Sequence, residues 1–469
     1  MPGKTKTFYE RFSSWTRNSI TLRIVSIGIL VLLLLIPSSM IESLIRERQN
    51  YRQQAIQDVS ASWADAQIIG GPILTLPYRT TYVNSEQQLT ETVAYAHFLP
   101  DDLNIRGEVS PESRKRGIYE AVVYRSSLSF DGSFSQPMLE VVGLSEKDVI
   151  WHEAFISLGI PDMRGIEEKI ELNWNGASYP FSPGTGPSQI LASGVRVSIP
   201  LDSALHNFNF KFELKLNGSS SLSFLPLGKN TNVSIQSDWG NPSFVGAFLP
   251  DSHQVNAEGF KANWEVLHLN RNFPQVWKGE QYSFSLQGLA YEKASPDYYV
   301  EPNLANSKSY SFGVNLLMPV DEYQKSMRSA KYAIMFIALT FLTFFFVEIL
   351  NRKRIHPIQY LLVGLALCLF FTLLLAISEH SSFNIAYIIS CIAVSALIAV
   401  YVQAVFKDKR LSSLLILLLL LMYGFIFTLL QLQDYALLIG SIALFIILAV
   451  VMYISRKIDW YALSEQEDD

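Results

Sequence analysis

The residues of this chain that could do chemistry are scattered histidines and a few isolated charges. His97, His152, His206, His253 and His268 fall in its polar middle, and none pairs with another His or a Cys at metal-ligand spacing. His152-Glu153 could form a base and its orienting partner. Within a strand read over Val149–Ser157, however, adjacent side chains face opposite ways, so these histidines are expected to be structural or surface residues. H-E-x-x-H, G-x-S-x-G and G-x-x-x-x-G-K-[ST] are absent. Gly228-Lys229 follows no phosphate loop, and Asn230 stands where Ser or Thr would hold magnesium, so it reads as a loop. No catalytic, cofactor or metal site is expected.

Candidate interaction residues are of two kinds. Arg114, Lys115 and Arg116 form a dense basic run, fit either for lipid headgroups, a glycan phosphate or an acidic partner, or for local salt bridges with Glu108 or Glu112 in a loop entering the strand Gly117–Tyr124. Glu379 and His380 close a short polar turn between two apolar runs, where they could meet an adjoining domain or cap the loop. Glu348 and Gln403 lie within apolar runs, where a mid-bilayer charge costs roughly 2.5–3.5 kcal/mol. Glu348 is expected near an interface, paired with Arg352 or Arg354.

The elements around these residues define the class. Six runs of about 20 apolar residues can each cross a bilayer as a helix: Ile20–Met40, Tyr332–Leu350, Tyr360–Ile377, Phe383–Phe406, Leu411–Leu430 and Tyr435–Ile454. Pro37, Ser38 and Ser39 resemble a cleavage region, but the run is long and lacks an A-x-A pattern, so it is read as an uncleaved anchor. Lys and Arg mark alternate connections. They occur at Lys4, Lys6, Arg11, Arg17 and Arg23, at Arg352–Arg354, at Lys407, Lys409 and Arg410, and at Arg456 and Lys457. The loops Ser378–Ser382 and Gln431–Asp434 have none. Both termini are therefore expected to be cytoplasmic and the middle of the chain extracytoplasmic.

That middle is β-rich. A polar helix over Glu47–Ala66 is expected to extend the first span and to end at Gly70-Gly71-Pro72. Phe208, Phe210, Phe212, Leu214 and Leu216 alternate with polar residues, as do Phe260, Ala262, Trp264 and Val266. Asn217-Gly218 predicts a hairpin turn into Leu222 and Phe224. Shorter strand signals occur at Val93–Phe98, Ile118–Tyr124 and Tyr310–Leu316, with a turn at Pro183–Gly186, and point to a sandwich or two β lobes. The expected order is a cytoplasmic segment 1–19, a span 20–41, a juxtamembrane helix 42–69, a β-rich domain 70–328, a five-helix bundle 329–455 and a tail 456–469. The two cysteines, Cys368 and Cys391, lie in spans, so the β domain must rest on its own core. A net charge of −5 gives no reason to expect a nucleic-acid partner.

Leu32–Pro37, Gly71–Leu74, His97–Pro100, Arg114–Tyr119, Pro183–Gly186, Asn241–Phe244, His356–Tyr360, Ser378–His380 and Ile458–Tyr461 together make the chain resemble the CreD family of inner-membrane, cell-envelope integrity proteins. The resemblance implies a Gram-negative inner-membrane component of an envelope-stress or β-lactam response, with no agreed reaction or cofactor. The expectation is a non-enzymatic protein whose partners are the bilayer and an envelope protein, glycan or lipid. The alternatives are a lipid or small-molecule transporter using the C-terminal helices, with Glu348, Gln403, Glu379 or His380 lining its path, and an enzyme modifying envelope glycans or lipids.

Overall fold

The computed structural model describes residues 20–83, 88–187, 190–201, 207–284, 310–316, 318, 322–351, 355–432 and 435–456. His206, the cationic residues at 4–17, 352–354 and 457, and the motif at 458–461 lie outside the described residues. The chain forms two compact units, one of residues 53–319 and one of residues 1–52 with 320–469.

Helix α1, Ile20–Trp63, is continuous from the first apolar run into the polar segment beyond it. It ends earlier than Gly70-Gly71-Pro72, which lie inside the strand Gln67–Val83. There the register against Phe155–Gly159 shifts between Gly70 and Ile73. Gly71 has φ +137°, and a Cβ would lie 3.0 Å from the Ser157 carbonyl oxygen, so the sequence signal marks a bulge and not a helix stop.

The unit of residues 1–52 and 320–469 also holds α2 (Glu322–Lys331), α3 (Ala333–Leu350), α4 (Pro357–Ser378), α5 (Phe383–Phe406), α6 (Lys409–Gln431) and α7 (Ala436–Ser455). Among the described residues six helices, α1 and α3 to α7, are long and apolar enough to cross a membrane. Helix α2 is short and amphipathic and belongs to this unit, although the sequence reading assigned Glu322–Arg328 to the β domain. His356-Pro357-Ile358-Gln359 starts α4 chemically. The His356 ring accepts from the Ile358 N–H, Gln359 reaches back to the His356 N–H, and Pro357 fills the first turn. Packing in lipid rests on shape and small residues. A Cβ at Gly364 of α4 would come within 2.2 Å of Leu34 Cδ1 and 2.9 Å of Phe341 Cζ, so this glycine lets α1 and α3 close on α4. Phe336, Phe370, Tyr387 and Tyr423 interlock at ring separations of 4.6–6.5 Å.

The other unit contains two sheets among the described residues. One has eight strands in the order Ser252–Asn256, Gly259–Leu267, Asn230–Ser237, Asp102–Arg116, Tyr119–Ser135, Asn207–Ser219, Glu171–Trp174 and Ala177–Pro180. The second, nine-stranded sheet is built around Gln67–Val83. One hydrophobic core takes residues from both sheets, among them Leu74, Ile156, Phe130, Phe212 and Trp264, which makes the unit sandwich-like. A smaller core gathers Ile68, Leu99, Phe273, Trp277 and Phe284. The alternation at 208–216 and 260–266 is buried on its apolar side as expected. The hairpin at Asn217-Gly218 does not form. The strand Asn207–Ser219 runs through both residues, and the chain turns at Ser220, with φ +62°. Ser221–Phe224 then joins the other sheet, parallel to Gln67–Ile69. Gly218 is needed because a Cβ there would fall 2.3 Å from the Tyr124 hydroxyl.

Candidate functional site

Two carboxylates of the helical unit, Glu348 and Glu379, are held in ties between helices. Glu348 on α3 is 3% exposed, and its carboxylate faces Arg23 of α1 at 3.1 Å. It also accepts the Tyr360 hydroxyl of α4 at 2.8 Å and the Ile355 N–H at 3.4 Å. The expected partners Arg352 and Arg354 lie outside the described residues, and the described cation comes instead from the first helix. A carboxylate with several donors satisfies the desolvation it suffers on burial. Tyr360, the last residue of the helix-start motif of α4, is thereby placed on Glu348.

A second tie joins the ends of other elements. Glu379, just beyond α4, accepts the Tyr323 hydroxyl of α2 at 3.1 Å and lies 3.7 Å from Arg48 of α1. Glu322 accepts the Phe383 N–H at 3.2 Å, so α2 also holds the start of α5. His380 is exposed and its Nδ1 lies 3.3 Å from the Ala376 carbonyl, so it caps the helix end and does not share the Glu379 cluster. Gln403 is exposed on α5. An apolar groove of about 610 Å³ between α3, α6 and α7 has none of Glu348, Gln403, Glu379 or His380 among its lining residues.

Arg114, Lys115 and Arg116 are strand residues and not a loop. They pair with Ala121, Glu120 and Tyr119 across a hairpin whose turn is Gly117-Ile118. Arg114 lies 2.6 Å from Glu112 and stacks on Trp63 of α1, its guanidinium 4.4 Å from the ring centre. Lys115 pairs with Glu120 at 3.0 Å, which holds that carboxyl below its usual range against the opposing effect of burial. Arg116 meets Asp58 of α1 at 3.0 Å. The same helix end is gripped elsewhere. Trp63 donates to the Tyr124 carbonyl at 3.3 Å, Arg125 also lies over the Trp63 ring, and Arg164 donates to the Ala61 carbonyl. Arg164 in turn forks onto Asp162. Burial raises the Asp162 pKa, but hydrogen bonds from Arg164 and the Asp65 and Arg164 N–H groups outweigh it and lower the net value.

The remaining polar groups of the β unit are dispersed. His97 is fully buried, 3.0 Å from the Thr75 hydroxyl and against Trp277, and burial pushes its pKa down to about 3. Arg271, which sequence reading passed over, is buried with its guanidinium over Phe273 and donates to the carbonyls of Phe273 and Leu227. Burial lowers its pKa to about 10. His152 and Glu153 do not diverge on a strand. They occupy a 3-10 turn, Trp151–Glu153, with side chains 3.7 Å apart and exposed, and the strand begins at Phe155. Among the described residues no group of three or more His, Cys, Asp or Glu could hold a metal.

A family model described as "Inner membrane protein CreD" matches residues 19–461. The inner membrane protein CreD of Escherichia coli (strain K12) is 36% identical over 440 residues, covering 92% of each chain. With the six apolar helices and the intervening β-rich unit, these matches show that the chain is a multi-pass inner-membrane protein belonging to the CreD family.

Proposed function

We propose that this protein supports envelope integrity under stress, including β-lactam stress, by holding its β unit on the periplasmic side for a wall, lipid or protein partner. The helices act as its anchor, both termini are cytoplasmic, and the protein carries out no reaction of its own. The observation that carries this reading is the use of the helix charges. Glu348 and Glu379 are engaged in ties between α1, α2, α3 and α4, and neither lines the groove between α3, α6 and α7, which favours a fastening role over transport.

The test is complementation in cells lacking the protein. The full chain should restore resistance to β-lactams and detergents. A version with residues 70–319 replaced by a short linker, and shown to insert, should not. Full rescue by the helices alone would assign the function to the bundle and favour transport.

A further inference from the structure

Away from the histidines and Arg271, polar side chains of the eight-stranded sheet fall into register. Glu265 stands opposite Asn232, Asn232 beside Asn104, Asn104 opposite Asp131, Asp131 opposite Lys211 and Lys211 opposite Asn173. Each comes from a different strand, so one row crosses most of the sheet. Their sequence neighbours Ile105, Phe130, Phe212, Val233 and Trp264 lie in the core. Side chains alternate along a strand, so the row occupies the face turned away from the core. Its residues are exposed or half-buried. Two clefts lie along it. One, of about 430 Å³, is lined in part by Glu265, Asn232 and Asn104, and the other, of about 380 Å³, in part by Lys211 and Asn173.

The middle of the row is ordered before anything binds. Asn232 donates to Asn104 Oδ1 at 3.1 Å, Asn104 donates to Asp131 Oδ2 at 3.0 Å, and Arg106 lies 3.6 Å from Asp131 Oδ1. Each amide uses one N–H in this relay and keeps a second for a ligand. Side chains already held in place lose little freedom on binding. Acidic Glu265 and Asp131 are balanced by basic Lys211 and Arg106, so the row presents no excess positive charge to an anionic lipid or a nucleic acid. An extended peptide would pair at a sheet edge and not across a face. The complement is a neutral polymer with donors and acceptors on every unit. A β-1,4-linked pyranose chain has that character and advances about 5 Å per sugar, close to the roughly 4.8 Å between strands. Laid along the row, it sets each sugar against one side chain. The Asn232–Asn104 bond joins two amides, and an acetamido group on a sugar offers the row the same kind of partner.

We infer that this row binds an extended β-1,4-linked glycan bearing acetamido groups, the chemistry of the wall's glycan strands. The site rests on the periplasmic placement of the β unit proposed above, where such strands lie.

The full chain, in a neutral detergent without sugar groups, is titrated calorimetrically with β-1,4-linked hexamers of N-acetylglucosamine or of glucose. It is also sedimented with purified wall sacculi. The acetylated hexamer should bind about tenfold more tightly than the glucose hexamer. The chain should sediment with sacculi and be released by the acetylated hexamer. Asn232→Ala with Lys211→Ala, at two exposed positions, should weaken hexamer binding by about tenfold at unchanged melting temperature. Gln236→Ala with Lys261→Ala, exposed on the same face but outside the row, should bind as the wild type does. A chain that complements in cells yet binds neither the acetylated hexamer nor sacculi overturns the glycan site and leaves the fastening role to a lipid or protein partner. Equal binding of the two hexamers also overturns it. So does wild-type binding by Asn232→Ala/Lys211→Ala, or an equal loss in the two double variants.

Discussion

Arg23 on α1 and Glu348 on α3 stand 3.1 Å apart although 325 residues separate them in sequence. The tie makes the N-terminal helix part of the C-terminal bundle. Arg23→Met leaves a buried carboxylate without its cation and should cost about 3 kcal/mol. Arg23→Met combined with Glu348→Leu should cost clearly less than the sum of the single changes. Thermal unfolding of the purified chain, arranged as a double-mutant cycle, measures the coupling. Additive losses would mean that the two residues do not interact.

Glu379 and His380 are neighbours with different partners, and their variants should separate. Glu379→Ala removes the acceptor for Tyr323 and the charge facing Arg48. His380→Ala removes only a local cap. Resistance of complemented cells should fall for Glu379→Ala and stay near wild type for His380→Ala, with both chains inserted to equal levels. Equal effects from the two variants would contradict the assignment.

The basic run on the β unit should behave as a fastening. Arg114→Gln loses its stacking on Trp63 as well as its pair with Glu112, a loss of about 1 kcal/mol. Lys115→Gln breaks only an exposed pair and should shift stability by roughly 0.5 kcal/mol or less. Melting temperature checks the order. The triple glutamine variant should show unchanged binding to anionic vesicles, and a lost salt-dependent component at unchanged melting temperature would restore the contact-surface reading.

His97 makes the stability of the β unit depend on pH. The folded protein holds the ring neutral, with a pKa near 3, against 6.5 for an exposed ring. The unfolded chain therefore takes up a proton first as pH falls through 6.5. Stability is complete above that value and declines toward pH 3, by at most about 1.4 kcal/mol per pH unit. Between pH 7 and pH 5 the melting temperature should fall, and it should fall less in His97→Phe/Thr75→Val, which keeps an apolar ring against Trp277. Identical slopes in the two chains would remove His97 as the cause.

What the sequence made legible was periodicity. Runs of 20 apolar residues and the alternation at 208–216 each report a face or a span directly, and the described helices and strands follow them. Distant partners were not legible. Nothing local points from Glu348 to Arg23 on helix α1, its described cation, while the expected pairing with Arg352 or Arg354 falls outside the described residues. Local reasoning read Asn217-Gly218 as a hairpin because a turn dipeptide says nothing of the Tyr124 ring that Gly218 must clear. The expected divergence of His152 and Glu153 assumed a strand from Val149, whereas the strand begins only at Phe155. For Arg114–Arg116 the local pair with Glu112 was legible and forms, but the partners Trp63 and Asp58 were not, because they belong to a distant helix. For Gly218, Arg114 and Arg116 the missing information was a tertiary contact across many residues.

The arrangement proposed for the whole molecule, a β unit in the periplasm held by helices with cytoplasmic ends, is tested most directly by topology. Alkaline phosphatase, active only outside the cytoplasm, is fused after Gln49 and after Arg410 in cells expressing the chain. The Gln49 fusion should be active and the Arg410 fusion inactive. An inactive Gln49 fusion beside an active Arg410 fusion, both made at equal levels, would place the β unit in the cytoplasm and contradict the proposed function.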